Sequence, residues 1–412
     1  MAFLIFIKTL SDMFYKLSVL DYLLMAVVSV LFLYGLKRIE TIHAGDLFAF
    51  AFMGLLCMTM LRTGTGFSHF IKMMSAFMLY FIGRGFFRET FQSERALVAA
   101  NYIVVLSNLA LFLLGKGFTI WGSASTFRGM YFYKTDFSIA MVYAIAALVF
   151  FENPVMIVSA VEWCILAYLI LRSNTRAALL IYCMIFGLWL LYRHERVTKK
   201  PIRINIKYLL FASVGLIAAI YLIAMILSSS AFSSYHFITF RFNKLSDLFN
   251  TSNTQGRNVI WKALFEKYNS AGIVQKAIGI DFVSDYWNSF DAHNAYLKIL
   301  FSTGFIGLLI FAGFIVYYII RLNKLKDRSL FYYNVAILLT FMIQSMSQSS
   351  IDFTQMTWTF LYFAGCAVSI SYKTETVRYH FNMDQTILSW LNRKIRFPFY
   401  ETKAVDFRKK RI

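Results

Sequence analysis

Residues 295–320 read AYLKILFSTGFIGLLIFAGFIVYYII, a run in which Lys298 is the only charged side chain. A helix needs about 20 apolar residues to cross the hydrocarbon core of a bilayer. Similar runs recur from one end of the chain to the other. Because only helices and closed barrels satisfy their backbone polar groups in lipid, these runs predict an all-α polytopic membrane protein.

The composition of the 412 residues supports the same fold class. Apolar residues make up 59% of the chain and charged residues 15%, whereas a soluble domain has about 45–50% and about 25%. This balance excludes a disordered chain, a nucleic-acid-binding domain and an ordinary cytosolic enzyme. The net charge of +20 is expected from the excess of Lys and Arg in cytoplasmic loops and from contact with anionic lipid head groups.

The apolar runs predict eleven transmembrane helices, or twelve if the segment from Met1 to Leu17 also enters the membrane. That segment otherwise reads as an amphipathic helix at the interface. The predicted spans lie at 20–36, 44–62, 67–84, 96–115, 136–151, 154–172, 176–192, 207–228, 295–320, 329–348 and 355–371.

The distribution of Lys and Arg predicts the orientation of these helices. The connections Arg193–Lys207 and Arg321–Arg328 and the tail after Lys373 are strongly basic and fall on one side, which is therefore cytoplasmic. The clusters Lys37–Arg38 and Arg84/Arg88/Arg95 agree. The predicted organisation is a first helical region (1–228), one large, partly helical periplasmic loop (229–292), a second helical region (293–372) and a basic cytoplasmic tail (373–412).

His293 and Asn294 lie where the large loop re-enters the membrane. A histidine at this boundary titrates near neutral pH and can meet a lipid-linked substrate. Nine residues separate Asn294 from Gly304, and Gly307 follows; small residues at this spacing allow another helix or a lipid to approach closely. The alternative is a surface histidine followed by a glycine packing face.

Arginines at three other places are candidates for binding phosphate. Arg172 and Arg176 flank the start of a span and would form a bidentate clamp, unless both reach the interface only to be solvated. Arg257 begins a predicted helix in the large loop, where a guanidinium adds to the positive helix end and favours an anion, unless it is a solvated loop charge. Arg241 is a weaker candidate of the same kind.

Two further charged residues fall in or near predicted spans. Lys298 lies about a turn past His293, where it would raise the positive potential or reach the interface. Glu162 lies inside the sixth span, where it would be paired or protonated, and a proton-coupled transporter would also use such a residue. The acidic residues of the large loop lack a metal-ligand spacing. The sequence therefore predicts no metal and no cofactor.

Together these residues resemble the O-antigen ligase and O-antigen polymerase superfamily of bacterial envelopes. The likeness rests on three elements and on their order: Asn174-Thr175-Arg176-Ala177 opening a span, Gly256-Arg257 with Trp261 early in the large loop, and His293-Asn294 followed by Gly304-Phe305-Ile306-Gly307 at the loop's exit.

The resemblance implies a metal-independent, inverting glycosyltransferase of the bacterial inner membrane with its active site facing the periplasm. Its substrate would be an undecaprenyl-diphosphate-linked glycan. Arg176 and Arg257 would stabilise the diphosphate, and His293 would orient or deprotonate the acceptor hydroxyl. The additional substrate-binding candidates are Arg172, Asn294, Arg241 and Lys298.

The resemblance does not determine the acceptor, which differs between two branches of the family. A polymerase extends a lipid-linked repeat unit, and a ligase transfers the glycan to lipid A–core in lipopolysaccharide biosynthesis. The high Phe and Tyr content favours a polymerase, for which a chain-length regulator membrane protein is a candidate partner. The rival classes are a glycolipid flippase or transporter, which would have pseudo-symmetric halves with matching broken helices, and a scaffold protein.

Overall fold

The structure is a computed structural model that describes residues 1–14, 18–121, 124–152, 156–198, 257–282, 293–346 and 348–373. The predicted span at 207–228, the candidate Arg241 and the tail after Lys373 lie outside the described residues. Arg257 is the first residue of a helix, and its side chain lies outside the described part of the structure.

Helices dominate the described part of the chain. They are α1 Ala2–Ser11, α2 Ser18–Lys37, α3 Ala44–Thr63, α4 Phe67–Gly85, α5 Thr90–Leu113, α6 Lys134–Ala147, α7 Met156–Ser173, α8 Arg176–Thr198, α9 Arg257–Ser270, α10 Ile273–Ile278, α11 Ala295–Leu322, α12 Arg328–Ser345 and α13 over 354–373. A π-helical turn, Leu148–Glu152, extends α6, and short 3₁₀ turns cover Phe87–Glu89 and Ser350–Asp352. Helix α9 covers the helix predicted within the large loop.

Seven described helical segments are long and apolar enough to cross a membrane: Val19–Lys37, Ala44–Thr63, Phe87–Leu113, Lys134–Glu152, Met156–Ser173, Arg176–Thr198 and Ala295–Leu322. Each coincides with a predicted span, so the chain is a multi-pass helical membrane protein. The predicted spans at 67–84, 329–348 and 355–371 coincide with helices α4, α12 and α13. The total of eleven or twelve spans stays a prediction.

A short β-hairpin interrupts the otherwise helical architecture. Strands β1 (Phe118–Trp121) and β2 (Ala124–Phe127) pair antiparallel, with Phe118 opposite Phe127. The hairpin lies in the connection between α5 and α6. Phe127 packs against Phe112 of α5 and Phe137 of α6, so the hairpin is part of the apolar packing at this end of the bundle.

Helix α1 packs lengthwise against α5. Met1, the residue before α1, lies near Glu89 before α5 begins, and Met13 beyond the end of α1 contacts Asn108 near the other end of α5. Lys8 is buried because Asp12 and Asp21 balance its charge. The interfacial position of this segment stays a prediction.

Helix α11 is broken at Gly304, whose φ of 69° and ψ of −173° are not helical. The Phe301 carbonyl near the break accepts hydrogen bonds from the backbone N–H groups of Ile280 (2.6 Å) and Asp281 (3.2 Å). A Cβ on Gly304 would lie 2.2 Å from the Ala277 carbonyl oxygen. The break in α11 is therefore filled by α10 and the residues that follow it.

Arg62 of α3 also binds the segment that fills the break in α11. The Arg62 guanidinium donates to the backbone carbonyls of Gly279 and Ile280, and the Thr59 hydroxyl donates to the Ile278 carbonyl. Because these bonds go to backbone atoms, α10 is anchored independently of its side chains. The segment after α9 is thus tied to both α3 and α11.

Candidate functional site

His293 and Asn294 form the turn that starts helix α11. Asn294 is the N-cap, and its side-chain oxygen accepts a hydrogen bond from the Leu297 N–H at 3.0 Å. His293 has a left-handed backbone, with φ of 48°, which a residue other than glycine adopts at a cost and often at a functional site. His293 is therefore a half-buried residue in a turn fixed by the cap that follows it.

Lys298 lies one helical turn beyond Asn294 and is fully buried. Its ammonium contacts an Asp352 carboxylate oxygen at 2.6 Å and His69 Nδ1 at 3.0 Å. The sequence allowed Lys298 to extend to the membrane interface, but in the structure it is buried and does not. Asp352 balances the charge of Lys298. If Lys298 contributes to substrate binding, it therefore does so indirectly, by positioning His69 and Asp352.

His69, Lys298 and Asp352 form a cluster, here called the His-Lys-Asp cluster, that joins three parts of the fold. His69 lies in the first turn of α4, and Asp352 ends the 3₁₀ turn between α12 and α13. The Asp352 carboxylate also contacts His69 Nδ1. The 3₁₀ turn packs against α4, α11 and α12. The cluster therefore fixes the start of α11 relative to α4 and this turn.

Sequence reasoning missed His69 and Asp352. The two residues are separated by 283 positions, and no spacing pattern connects them. The available signals were weak: a histidine at the start of a predicted span and an acidic residue in a short connection between two spans. Only the packing of the helices brings them together.

Charge within the cluster changes the titration of Asp352. Burial by itself would raise the pKa of this carboxyl, but the Lys298 ammonium and the hydrogen bond with His69 outweigh burial and hold the pKa well below its usual range. A carboxyl whose pKa is lower in the folded state stabilises the fold above its ordinary pKa, and this contribution is lost as the pH falls towards the lowered value.

We expect acid to destabilise the protein through Asp352. The midpoint of thermal unfolding in detergent should change little from pH 7 to about 5 and fall below about pH 4, where unfolded-state carboxyls take up protons. Asp352→Asn should lower the midpoint at pH 7 and reduce its loss in acid. Glu266→Gln removes an exposed carboxylate and should follow the parent curve. An Asp352→Asn curve parallel to the parent's would contradict the assignment.

Three serine hydroxyls close to the cluster in sequence are buried without a hydrogen-bond partner among the described residues. They belong to Ser345 at the end of α12 and to Ser349 and Ser350 before Asp352. Buried polar groups are nearly always hydrogen-bonded, and leaving one unsatisfied costs about 1–3 kcal/mol. These hydroxyls are therefore suited to bind water or the hydroxyl groups of a ligand.

The predicted phosphate clamp surrounds the turn between α7 and α8. Arg176 is the first residue of α8 and is half-buried. Asn174, in the turn, has a left-handed backbone with φ of 54°. The Arg172 guanidinium lies over the rings of Phe118 (5.7 Å) and Phe112 (5.9 Å). Arg172 thus contacts the β-hairpin and α5, and its binding of phosphate stays a prediction.

Packing against α12 brings Arg176 and His293 to the same end of the bundle. The end of α8 lies beside the start of α12, where the hydroxyls of Tyr192 and Ser329 share a hydrogen bond of 2.8 Å. Arg176 lies sixteen residues before Tyr192, and Ser345 lies sixteen residues after Ser329, so we infer from equal helix lengths that both lie at the other end of this helix pair. On the α11 side, the Tyr296 hydroxyl donates to the Met342 carbonyl at 3.0 Å. Arg176 and the start of α11 therefore flank the same end of α12.

The candidate site is thus the end of the bundle where α4 and α11 begin and α12 ends. It combines Arg176, the His293-Asn294 turn, the His-Lys-Asp cluster and the buried serines. Among the described residues, no three His, Cys, Asp or Glu side chains are placed to hold a metal ion. Such a site can bind a polar, anionic ligand and exchange a proton through an imidazole.

No protein-family model matches the chain, and no curated protein matches it either. The functional assignment therefore rests on the residues and on the geometry of this end of the bundle.

Proposed function

We propose that the protein is an integral membrane glycosyltransferase that transfers an undecaprenyl-diphosphate-linked glycan to a sugar hydroxyl. The observation that carries this proposal is the position of Arg176 and the His293-Asn294 turn around one end of α12, beside the His-Lys-Asp cluster. A guanidinium suits a diphosphate, and an imidazole suits a hydroxyl that must lose a proton. The polymerase is the preferred branch.

In this proposal the arginines stabilise the leaving group. Arg176 and Arg257 bind the diphosphate and neutralise the charge that develops as its bond to the anomeric carbon breaks. Arg172 and Arg241 are further residues proposed to bind the substrate. His293 orients or deprotonates the acceptor, Asn294 holds the His293 turn, and Lys298 acts through Asp352. Attack opposite the diphosphate inverts the anomeric configuration.

The proposed location is the bacterial inner membrane, with the site facing the periplasm. The basic connection Arg321–Arg328 lies between the ends of α11 and α12 that are distant from His293. This distribution supports a cytoplasmic assignment for that end of the bundle and a periplasmic one for the site. The bilayer, the lipid-linked glycan and a chain-length regulator are the proposed partners.

We expect His293→Ala and Arg257→Ala to abolish glycan chain extension. Loss of a positioned base or of a group that stabilises transition-state charge lowers turnover on the order of 10²-fold or more. The measurement is the chain-length distribution of surface glycan in a strain that carries each variant, with the amount of membrane protein measured in parallel.

Lys262→Ala is the matched control for Arg257→Ala, because Lys262 lies on the same helix with a largely exposed side chain. It should support normal chain extension. Long glycan in the His293→Ala or Arg257→Ala strain, at normal protein level, would reject the proposed roles.

The acceptor separates the two branches. Purified protein supplied only with lipid-linked repeat units should produce long glycans if it is a polymerase. A reaction that begins only after lipid A–core is added would assign it to the ligase branch.

A flippase or transporter is the second candidate, favoured by the break in α11 and by the buried charges at Lys8 and Lys298. Discontinuous helices and buried ion pairs are typical of transporters. Proteoliposomes holding lipid-linked glycan on one leaflet would test it. Movement of the glycan to the other leaflet, with no new glycosidic bond, would favour transport over transfer.

A further inference from the structure

We propose that His69, oriented by Asp352, takes the proton from the acceptor hydroxyl, while His293 positions the acceptor. This inference rests on the proposed glycosyl transfer and assigns its proton acceptor. It differs from the role that the family resemblance implies, in which His293 orients or deprotonates the acceptor.

The contact with Asp352 fixes which nitrogen of His69 is available. Nδ1 of the ring lies against the Asp352 carboxylate, the same oxygen that the Lys298 ammonium contacts at 2.6 Å. The Lys298 ammonium also lies 3.0 Å from Nδ1, and it has only donors. We infer the tautomer in which Nδ1–H and the ammonium both donate to this one carboxylate oxygen, which leaves the electron pair of the ring on Nε2. A carboxylate that holds an imidazole in one tautomer is the arrangement that general-base histidines use.

Exposure within the cluster also distinguishes His69. Its side chain is 23% exposed, whereas Asp352 is 9% exposed and Lys298 is fully buried. The imidazole is therefore the member of the cluster that reaches the boundary of the protein. The two charged partners lie behind it and are shielded from water.

The position of the cluster suits a reaction at the start of α11. Lys298 is one turn from Asn294, about 6 Å along the helix axis, and its backbone N–H donates to the Asn294 carbonyl at 3.1 Å. His69 thus faces the turn of α11 that follows His293. The buried hydroxyls of Ser349 and Ser350 belong to the turn that carries Asp352, where they suit the hydroxyls of a sugar.

The proton transfer also fits the charges. Lys298 and Asp352 form a neutral pair, so the cluster becomes positive when His69 Nε2 accepts the acceptor's proton. The acceptor oxygen forms its bond to the anomeric carbon as the bond from that carbon to the diphosphate oxygen breaks, and the electron pair leaves with the diphosphate. The imidazolium then releases its proton to water, and the cluster returns to neutral.

His69 could instead have only a structural role, and the variant His69→Gln distinguishes that role from proton transfer. The glutamine amide can donate a hydrogen bond to Asp352 in place of Nδ1 but cannot accept a proton at neutral pH. A residue that only ties α4 to α11 would tolerate this change. A proton acceptor would not.

The experiment uses the full chain in nanodiscs, with lipid-linked repeat units extracted from the membranes of its own source strain as the probe. We expect His69→Gln to lower kcat on the order of 10²-fold or more, with KM within about twofold, because binding is retained and only the transition state is affected. Imidazole added to His69→Ala should restore part of the rate. His194→Gln, an exposed histidine on α8, is the control and should match the parent.

Three results would overturn the inference. The first is a parental kcat for His69→Gln while His293→Ala is inactive, which would leave the proposed glycosyl transfer intact. The second is the same imidazole rescue in His293→Ala and its absence in His69→Ala, which would return the proton to His293. The third is a parent protein that makes no glycosidic bond from any lipid-linked repeat unit or lipid A–core, which would remove the proposed function as well.

Discussion

Gly304→Val is expected to destabilise the protein more than any other single change at the site. The backbone at Gly304 lies in a region that only glycine populates readily, at a cost of about 1–3 kcal/mol for other residues. A side chain would also overlap the Ala277 carbonyl, since even a Cβ would lie 2.2 Å from that oxygen. Overpacking adds about 1–3 kcal/mol, so we expect a loss of about 3 kcal/mol or more and release of α10 from the break.

Thermal unfolding in detergent and limited proteolysis between α9 and α11 measure this effect. The matched control is Gly54→Val in α3, where an added Cβ meets no atom within 4 Å. Gly54→Val should unfold close to the parent temperature and resist the protease. If both variants unfold at the same temperature with the same cleavage pattern, α10 does not depend on the break.

Arg84→Met is expected to destabilise the opposite end of the bundle by about 3–5 kcal/mol, the usual cost of leaving a buried charge without its partner. The Arg84 guanidinium binds both carboxylate oxygens of Asp46, at 2.9 and 2.8 Å. Both side chains are buried. It also donates to Ser369 and to the Thr41 carbonyl. Without it, Asp46 would keep the Tyr80 hydroxyl and the His43 N–H as donors but no opposite charge.

Arg88→Met is the control for this change, because Arg88 is exposed and lies 3.9 Å from an exposed Glu40. Exposed pairs contribute about 0–1 kcal/mol, so its unfolding temperature should stay near the parent's. Replacing both partners, in Arg84→Met/Asp46→Leu, should recover part of the loss. An Arg84→Met protein as stable as Arg88→Met would show that the Asp46 pair does not hold this end together.

The two histidines of the site show which functional residues a sequence pattern can identify and which it cannot. His293 is visible in the sequence because an apolar span follows it and glycines recur at a defined distance. His69 stands at the start of a span with no neighbouring signal, and its partners belong to α11 and to the turn before α13. Its candidate role depends on an orientation that only a three-dimensional contact supplies.

Gly304 and Arg84 show the same limit for residues that the sequence did single out. The glycine was expected to allow close packing, and the structure makes it the point where α11 breaks and backbone from α10 enters. Arg84 was counted among the basic residues of a cytoplasmic end, and the structure buries it against Asp46. In both cases the sequence indicates the residue, but its partner lies on a distant segment of the chain.

The sequence by itself determined that this is a multi-pass helical membrane protein and where seven of its apolar helices lie. These properties follow from the hydrophobicity of each segment separately, because a bilayer selects a helix by its length and polarity. The tertiary structure decided which polar side chains meet: His69 with Asp352 and Lys298, and Arg84 with Asp46. Such contacts depend on how neighbouring helices rotate and pack, which no single segment encodes.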